Sequence, residues 1–263
     1  MGAVTASPLF ERLVDDAGLF PPTSLPMDEA LARHARDLSG RSPVLTHLFL
    51  CPATRLGQLA DRPPPHIGLI LDKGELPGTN SLNIVSIDLP AQGTEPLVNE
   101  CLATGLPVYV EPDRCAPGWL AAVAALKHTP GLAAKVRCGG VTPEMFPTPE
   151  ELGSFIEICV DLGLPFKATA GLHHAVRHYD PELDVYRHGF LNILLATCAA
   201  VQRESPFEIL ASAESEDLVK AAHAVPVETA RRARELMVSY GSCSTSTPIA
   251  ELRALGLIEE GNG

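Results

Sequence analysis

Short apolar runs alternate with amphipathic helical patterns along this chain, and this alternation limits the possible folds more than any other feature. Apolar strands that alternate with helices are typical of a parallel sheet whose two faces are both covered. The runs are, in order, 13–20, 44–51, 67–71, 82–89, 107–111, 132–138, 164–170 and 237–243.

Eight such runs predict a (β/α)8 barrel, that is, a TIM-barrel-like α/β fold with a single domain over 1–263. An open, doubly wound parallel sheet is the alternative, because the first run is weak and a long segment separates the last two. This segment, about 171–236, carries several helical patterns and is predicted to be an insertion or an extended helical segment. In either fold the active site is expected at the carboxyl ends of the strands.

Local signals mark the ends of two helices. Thr148 precedes Pro149 and stands three residues before Glu151, which is the pattern of a capping box with proline at the first helical position. Gly105 and Gly163 each follow a helical pattern, where glycine commonly ends a helix. A helix is therefore predicted over 149–162, with a second one ending before Gly105.

Composition narrows the classes of partner. A net charge of -12 argues against a nucleic-acid surface, and the apolar runs are too short to span a membrane. The seven cysteines are scattered singly, as is typical of reduced thiols. We therefore expect a cytoplasmic protein that binds a small molecule and neither nucleic acid nor membrane. A homo-oligomer is compatible with these features.

Two of the five lysines lie inside apolar runs, Lys135 in LAAKVRCGGV and Lys167 in LPFKATAGLHH. Side chains alternate along a strand, so Lys135 shares a face with Arg137, and Lys167 shares a face with Thr169. Arg137 and Thr169 are therefore candidate substrate-binding residues. A lysine in a poorly solvated pocket beside a second cation loses its proton more readily. The neutral amine that results is what a Schiff-base nucleophile requires.

Carboxylates also stand at strand ends, and they offer a purely structural explanation of the lysines. Asp88 and Glu111 directly follow apolar runs, so they are candidates for orienting a lysine or moving protons. In the structural alternative, each lysine forms an internal salt bridge with one of these two carboxylates. Other carboxylates at strand ends are Asp72 and the adjacent Asp15 and Asp16.

Four of the nine histidines, His173, His174, His178 and His188, cluster after the seventh run. His173 and His174 are suited to proton transfer near neutral pH or to metal ligation. His174 and His178 have the spacing of a ligand pair on a helix, and His178 is also a candidate substrate-binding residue. A zinc site would need a further ligand, for which the candidates are Asp15, Asp72 and Asp88. The alternative for His178 and His188 is a position on the surface.

Two glycine- or serine-rich turns could hold an anion. Gly139 and Gly140 follow the sixth run close to Arg137, and Ser242 and Ser244 follow the eighth. Backbone N–H groups at such turns bind phosphate or carboxylate, and barrels often hold phosphate near their last strands. The structural alternative for the serines is an ordinary helix cap. Cys243, between them, has no histidine partner in the local sequence.

The motif FKATAG resembles the strand that bears the Schiff-base lysine in deoxyribose-phosphate aldolases, and AKVRCGGV is similar to the neighbouring strand of that family, which carries a second lysine. The resemblance implies that Lys167 is the Schiff-base lysine and that Lys135 lowers its pKa. The longer pattern FPTPEEL…PFKATAGLHHAVRH…HGFLN resembles a family of uncharacterised proteins and implies no activity.

The leading hypothesis is a lyase of the aldolase type that uses a Schiff-base lysine on a small anionic carbonyl substrate and needs no cofactor. One alternative is a hydrolase, lyase or isomerase that uses the histidine cluster to bind a divalent metal such as zinc. A further alternative is a barrel that binds a small metabolite without catalysis.

Overall fold

Eight parallel strands close into a barrel in the computed structural model, which describes residues 7–59, 61–78, 82–90 and 95–259. The (β/α)8 prediction is confirmed, because the first barrel strand pairs with both the second and the last, so that the sheet has no open edge. The barrel strands are β1 (Val14–Asp16), β2 (Leu45–Pro52), β3 (Ile67–Ile70), β4 (Ile84–Leu89), β5 (Val108–Val110), β6 (Leu132–Arg137), β7 (Phe166–Thr169) and β10 (Met237–Ser242). Residues 1–6 and 260–263 of the predicted domain lie outside the described residues.

Helices cover the outside of the barrel: α1 (Met27–Gly40), α2 (Glu95–Ala103), α3 (Trp119–Ala125), α4 (Pro149–Leu162), α5 (Phe190–Val201), α6 (Phe207–Ala211), α7 (Ser215–Ala224), α8 (Val227–Leu236) and α9 (Ser246–Ala254). The capping box of α4 is present, since Thr148 Oγ1 accepts from Glu151 N at 3.2 Å and Thr148 N donates to Glu151 Oε2 at 2.8 Å. Gly163 ends this helix at a φ of 59°. Within the described ranges, no helix is both long enough and apolar enough to cross a membrane.

The long segment before β10 contains more than helices. A hairpin of β8 (His178–Asp180) and β9 (Val185–Arg187) precedes α5, and its two strands are antiparallel. Tyr179 and Tyr186 are paired across the hairpin, with ring centroids 5.4 Å apart and ring planes tilted by 59°. The sequence did not predict these strands, because their side chains are mostly polar and half-exposed and give no apolar run.

Side chains of successive strand residues point alternately outward and into the barrel, as the pleat requires. Outward residues such as Phe49 and Ile87 belong to an apolar cluster with Met27 and Ala30 of α1. Inside the barrel, a small apolar group includes Leu48, Leu50 and Ala17. Gly68 leaves room for it, since a Cβ added there would lie 2.6 Å from Leu50 Cδ2. The other inward positions are mostly polar, and they form the candidate site.

Candidate active site

Six ionisable side chains meet inside the barrel in an order that alternates in charge, and we call them the interior charge network. They are Asp15, Lys167, Asp88, Lys135, Glu111 and Arg137. Three are carboxylates and three are cations, so the network is neutral when every member is ionised. Five of the six are buried, and only Arg137, with a side chain 43% exposed, reaches solvent. The alternation of inward side chains and the lateral pairing of Lys135 with Lys167 bring the network together.

Asp88 stands at the centre of the network, because both lysines contact its carboxylate. Lys135 Nζ lies 3.0 Å from Asp88 Oδ2, and Lys167 Nζ lies 3.9 Å from Asp88 Oδ1. The two amines therefore point to one place in the barrel interior, as the sequence predicted. Lys135 pairs with Asp88 as the structural alternative predicted, whereas the carboxylate nearest to Lys167 is Asp15, which that alternative did not name.

Towards the carboxyl ends of the strands, the network continues from Lys135 through Glu111 to Arg137. Lys135 Nζ is 3.9 Å from Glu111 Oε2, and Arg137 Nε donates to Glu111 Oε1 at 2.9 Å. Glu111 Oε2 is buried and finds no hydrogen-bond partner among the described residues. An acceptor atom is therefore unfilled beside the amine of Lys135, at the end of the barrel where barrel enzymes bind their substrates.

The other end of the network holds Lys167 in a different environment. Its Nζ lies 3.2 Å from Asp15 Oδ2 and 4.5 Å from the centre of the Tyr109 ring. Asp15 also accepts from Ser239 Oγ at 2.7 Å and from Thr46 Oγ1 at 2.7 Å. Burial alone would lower the pKa of Lys167, but the nearby carboxylates of Asp15 and Asp88 raise it above the ordinary value. The sequence-based expectation of a lowered pKa for Lys167 is therefore wrong, because it did not include Asp15.

The neighbouring Asp16 faces the helices instead of the barrel interior. His34 Nδ1 lies 3.0 Å from Asp16 Oδ2, Gly18 N donates to Oδ1 at 3.0 Å, and Arg33 contacts Oδ1. Burial would raise the pKa of Asp16, yet His34 and Arg33 together hold it below the usual value. Thr54 N donates to Asp72 Oδ1 at 3.0 Å, and the hydroxyl group of Thr54 donates to Asp72 Oδ2. Both carboxylates are thus structural.

The histidines divide into separate environments. His173 Nδ1 lies 3.6 Å from Cys243 Sγ, so the thiol has the partner that the local sequence did not reveal. Burial and the charge of Arg187 lower the pKa of His173. His174 contacts Glu251 Oε1 at 2.6 Å and is about half exposed.

His178 begins β8, so the helical ligand spacing inferred for His174 and His178 is wrong, although their rings are 4.5 Å apart. His188 is buried, which contradicts a surface position, and burial lowers its pKa to about 4. Throughout residues 7–59, 61–78, 82–90 and 95–259, no three His, Cys, Asp or Glu side chains are arranged to hold a metal ion. The metal-dependent alternative thus finds no ligand set there.

The two turns predicted to hold an anion are ordered by internal contacts. Ser244 Oγ accepts from Thr247 N at 3.2 Å, so it caps the first turn of α9 as the structural alternative predicted. Ser242 Oγ donates to the carbonyl of Ser244 at 2.7 Å. Gly139 is closely packed, since a Cβ added there would lie 2.8 Å from Gly171 Cα.

The remaining predicted substrate-binding residues follow β6 and end β7. Cys138 N donates to the carbonyl of Thr169 at 2.8 Å, which holds these two strand ends together beside Gly140 and Arg137. A Cβ added at Gly140 would lie 2.3 Å from Met145 Sδ, so this turn is closely packed as well. Arg137 is therefore the residue of this group with a charge that faces solvent.

Fold and site together define a (β/α)8 barrel with paired lysines and carboxylates in its interior. Barrels of this class commonly carry enzymes, with the site at the carboxyl ends of the strands. No protein-family model matches the chain, and no curated protein matches it significantly. Any assignment of activity therefore rests on the residues themselves.

Proposed function

We propose that this barrel is a lyase of the aldolase type that forms a Schiff base between a lysine and a small anionic carbonyl substrate. The observation that carries the proposal is the carboxylate of Asp88, which is buried between two lysine amines. Schiff-base formation requires a neutral amine with a proton acceptor close by. The carboxylate of Asp88 supplies the proton acceptor, 3.0 Å from Lys135 Nζ.

Lys135 is the nucleophile in this proposal, although the sequence favoured Lys167. The raised pKa of Lys167 keeps that amine protonated at neutral pH. For Lys135, transfer of one proton from Nζ to Asp88 Oδ2, 3.0 Å away, gives a neutral amine and a neutral carboxylic acid. The transfer leaves two complete ion pairs, Lys167 with Asp15 and Arg137 with Glu111. The net charge of the buried network is unchanged, so the proton shift avoids the cost of an isolated buried charge.

The reaction then follows from these neighbours. The neutral Lys135 Nζ attacks the substrate carbonyl carbon, and the carbonyl oxygen takes up the proton held by Asp88. Asp88, ionised again, passes a proton from the attached nitrogen to the new hydroxyl group, which leaves as water and gives an iminium ion. The iminium ion accepts the electron pair of the carbon–carbon bond that breaks and becomes an enamine. Protonation of the enamine carbon and hydrolysis by one water then release the second product and the amine of Lys135. Glu111 Oε2, 3.9 Å from Lys135 Nζ and without a hydrogen-bond partner in the described part of the chain, is suited to remove the proton from the hydroxyl group of the departing fragment.

Arg137 supports the choice of an anionic substrate. Its Nε is engaged by Glu111 at 2.9 Å, while 43% of its side chain is exposed. A guanidinium at the mouth of the barrel can pair with a carboxylate or phosphate on the substrate. The carboxylate and carbonyl ends of the same small molecule would then reach Arg137 and Lys135.

Reductive trapping tests this proposal. We expect borohydride, in the presence of glyceraldehyde or pyruvate, to fix a covalent adduct on Lys135 that mass spectrometry of peptides can locate. Lys220, whose side chain is 73% exposed, is the internal control for unspecific modification. The Lys135→Arg variant keeps the positive charge and should lose the adduct.

Two results would contradict the assignment. An adduct on Lys167 alone would keep the Schiff-base class but overturn the choice of nucleophile. Absence of any adduct on either lysine above the level at Lys220 would overturn the Schiff-base chemistry and favour a barrel that binds its ligand without covalent catalysis.

A further inference from the structure

A cavity of about 710 Å³ opens at the end of the barrel opposite the proposed active site. The residues at its rim come before strands: Arg12 precedes β1, His66 precedes β3, Pro107 precedes β5, and Arg234 precedes β10. Parallel strands all begin at one end of a barrel, so the opening lies at the amino-terminal end. The volume is in the range typical of small-molecule sites, roughly 300–1,000 Å³.

The cavity extends to the inner end of the interior charge network. Asp15, Lys167 and Ser239 line it, together with Ser86 of β4. Lys167 is 4% exposed and Ser86 is 5% exposed. An ammonium group has three N–H donors, and Asp15 Oδ2 at 3.2 Å is the nearest oxygen that Lys167 contacts among the described residues. Donors of Lys167 therefore stay unfilled at the cavity wall.

Ser86 gives the second, independent indication of a ligand. Its Oγ is buried and has no hydrogen-bond partner among the described residues. Leaving such a group unsatisfied costs free energy, and buried polar groups are normally paired. A hydroxyl group of a ligand could fill Ser86 Oγ, because both groups donate and accept.

The charges of the lining select the kind of ligand. Four cationic side chains and three carboxylates line the cavity, so its wall is slightly positive in a chain whose net charge is -12. A single negative charge balances such a wall, whereas a dianion would oppose the carboxylates. Leu48, Val85 and Val238 add apolar surface for a short carbon skeleton. We infer that the amino-terminal cavity is a second binding site, which takes a small hydroxylated monocarboxylate.

Calorimetric titration with glycerate tests this inference. Glycerate has a carboxylate and two hydroxyl groups but no aldehyde or ketone, so it cannot form a Schiff base. We expect saturable binding to the wild-type protein and at least ten-fold weaker binding of its neutral methyl ester. Arg12→Glu reverses a rim charge and should weaken glycerate binding by about ten-fold, and Ser86→Ala should weaken it several-fold.

Matched variants separate this site from the proposed active site. Arg36→Glu makes the same charge change on an exposed residue of α1 outside the cavity lining and should leave binding unchanged. Lys135→Arg, which should abolish reductive trapping, should also leave glycerate binding unchanged. No saturable binding to the wild-type protein would overturn the inference. Binding that is lost in Lys135→Arg but kept in Arg12→Glu and Ser86→Ala would overturn it as well, since glycerate would then occupy the other end of the barrel.

Discussion

Replacing Asp88 by asparagine should expose how strongly the interior charge network is coupled. The substitution keeps the shape of the side chain and removes the one charge that both lysines contact. At an effective dielectric constant of about 20, opposite charges 3.0 Å apart, as for Lys135, attract by about 5 kcal/mol. Those 3.9 Å apart, as for Lys167, attract by about 4 kcal/mol. The variant therefore holds one excess buried positive charge.

Loss of a proton limits the cost of this excess charge. Lys167 keeps Asp15 as a partner, so Lys135 is the lysine that becomes neutral. With an ordinary pKa of about 10.4, deprotonating a lysine at pH 7 costs about 5 kcal/mol, and at pH 9.5 about 1 kcal/mol. We therefore expect the free energy of unfolding of Asp88→Asn to be about 3–5 kcal/mol below that of the wild type at pH 7. Near pH 9.5 the difference should fall to about 2 kcal/mol or less.

The sign of the pH dependence differs between the two proteins. In the variant, Lys135 is neutral when folded and protonated when unfolded, so the unfolded state binds more protons and stability rises with pH. In the wild type, the raised pKa of Lys167 contributes to the free energy of unfolding. This contribution is fully present at pH values below the pKa of the lysine in the unfolded chain, and it is lost only as the pH rises above that pKa.

Urea unfolding at several pH values from 7 to 9.5 measures both curves. Asp217→Asn is the control for loss of an exposed carboxylate, since that side chain is 72% exposed and should change stability little. A stability deficit in Asp88→Asn that is equal at pH 7 and pH 9.5 would refute the coupling between Asp88 and a buried ammonium group.

Three further predictions concern other contacts. His173→Ala should slow alkylation of Cys243 by iodoacetamide at pH 7 several-fold, because a neutral imidazole 3.6 Å away can accept the thiol proton. The exposed Cys115 is the reference, and a ratio of the Cys243 rate to the Cys115 rate that is unchanged by the substitution would contradict the pairing. Asp16→Asn should lower the free energy of unfolding by about 2–4 kcal/mol at pH 7, and the difference from the wild type should shrink in urea titrations as pH falls below about 4, because the folded pKa is lowered. Gly171→Ala should lower the free energy of unfolding by about 2–3 kcal/mol, since φ at Gly171 is 74° and the added Cβ would lie 2.9 Å from backbone atoms. Gly105→Ala, with the same φ but open space around the Cβ, should lower it by about 1 kcal/mol. Equal losses of melting temperature in the two variants would contradict this difference.

Much of the barrel could be predicted because burial on both faces leaves a direct mark on a parallel strand. Each of the eight barrel strands lies largely within one of the apolar runs, and α4 has the predicted bounds. That Lys135 shares a face with Arg137, and Lys167 with Thr169, followed from alternation once their strands were identified. The β8–β9 hairpin left no such mark, because it is exposed and its stabilising contacts, such as Arg187 with Asp180, are between polar side chains.

Features that depend on register or on distant contacts could not be predicted. Asp15 and Asp16 are adjacent and chemically alike, yet one faces the lysines and the other faces α1, and a shift of one residue would exchange them. Cys243 and His173 are 70 residues apart and meet only because β7 and β10 are neighbours. The amino-terminal cavity is lined partly by small side chains such as Ser86. The sequence does not show whether the space beside a small side chain is filled by another residue or left empty.

The interior charge network differs from what stability alone would favour. An apolar filling of a barrel can be as stable as buried ion pairs, and a buried polar network stabilises a fold best when every member is satisfied. Here Glu111 Oε2 is unfilled near the carboxyl ends of the strands, while Ser86 Oγ and donors of Lys167 are unfilled near the amino ends. Among the described residues, a further unfilled acceptor, Asp88 Oδ1, lies at the centre of the network between the two lysines. A buried charge network with unfilled polar atoms along its whole length is better explained by ligand binding than by packing.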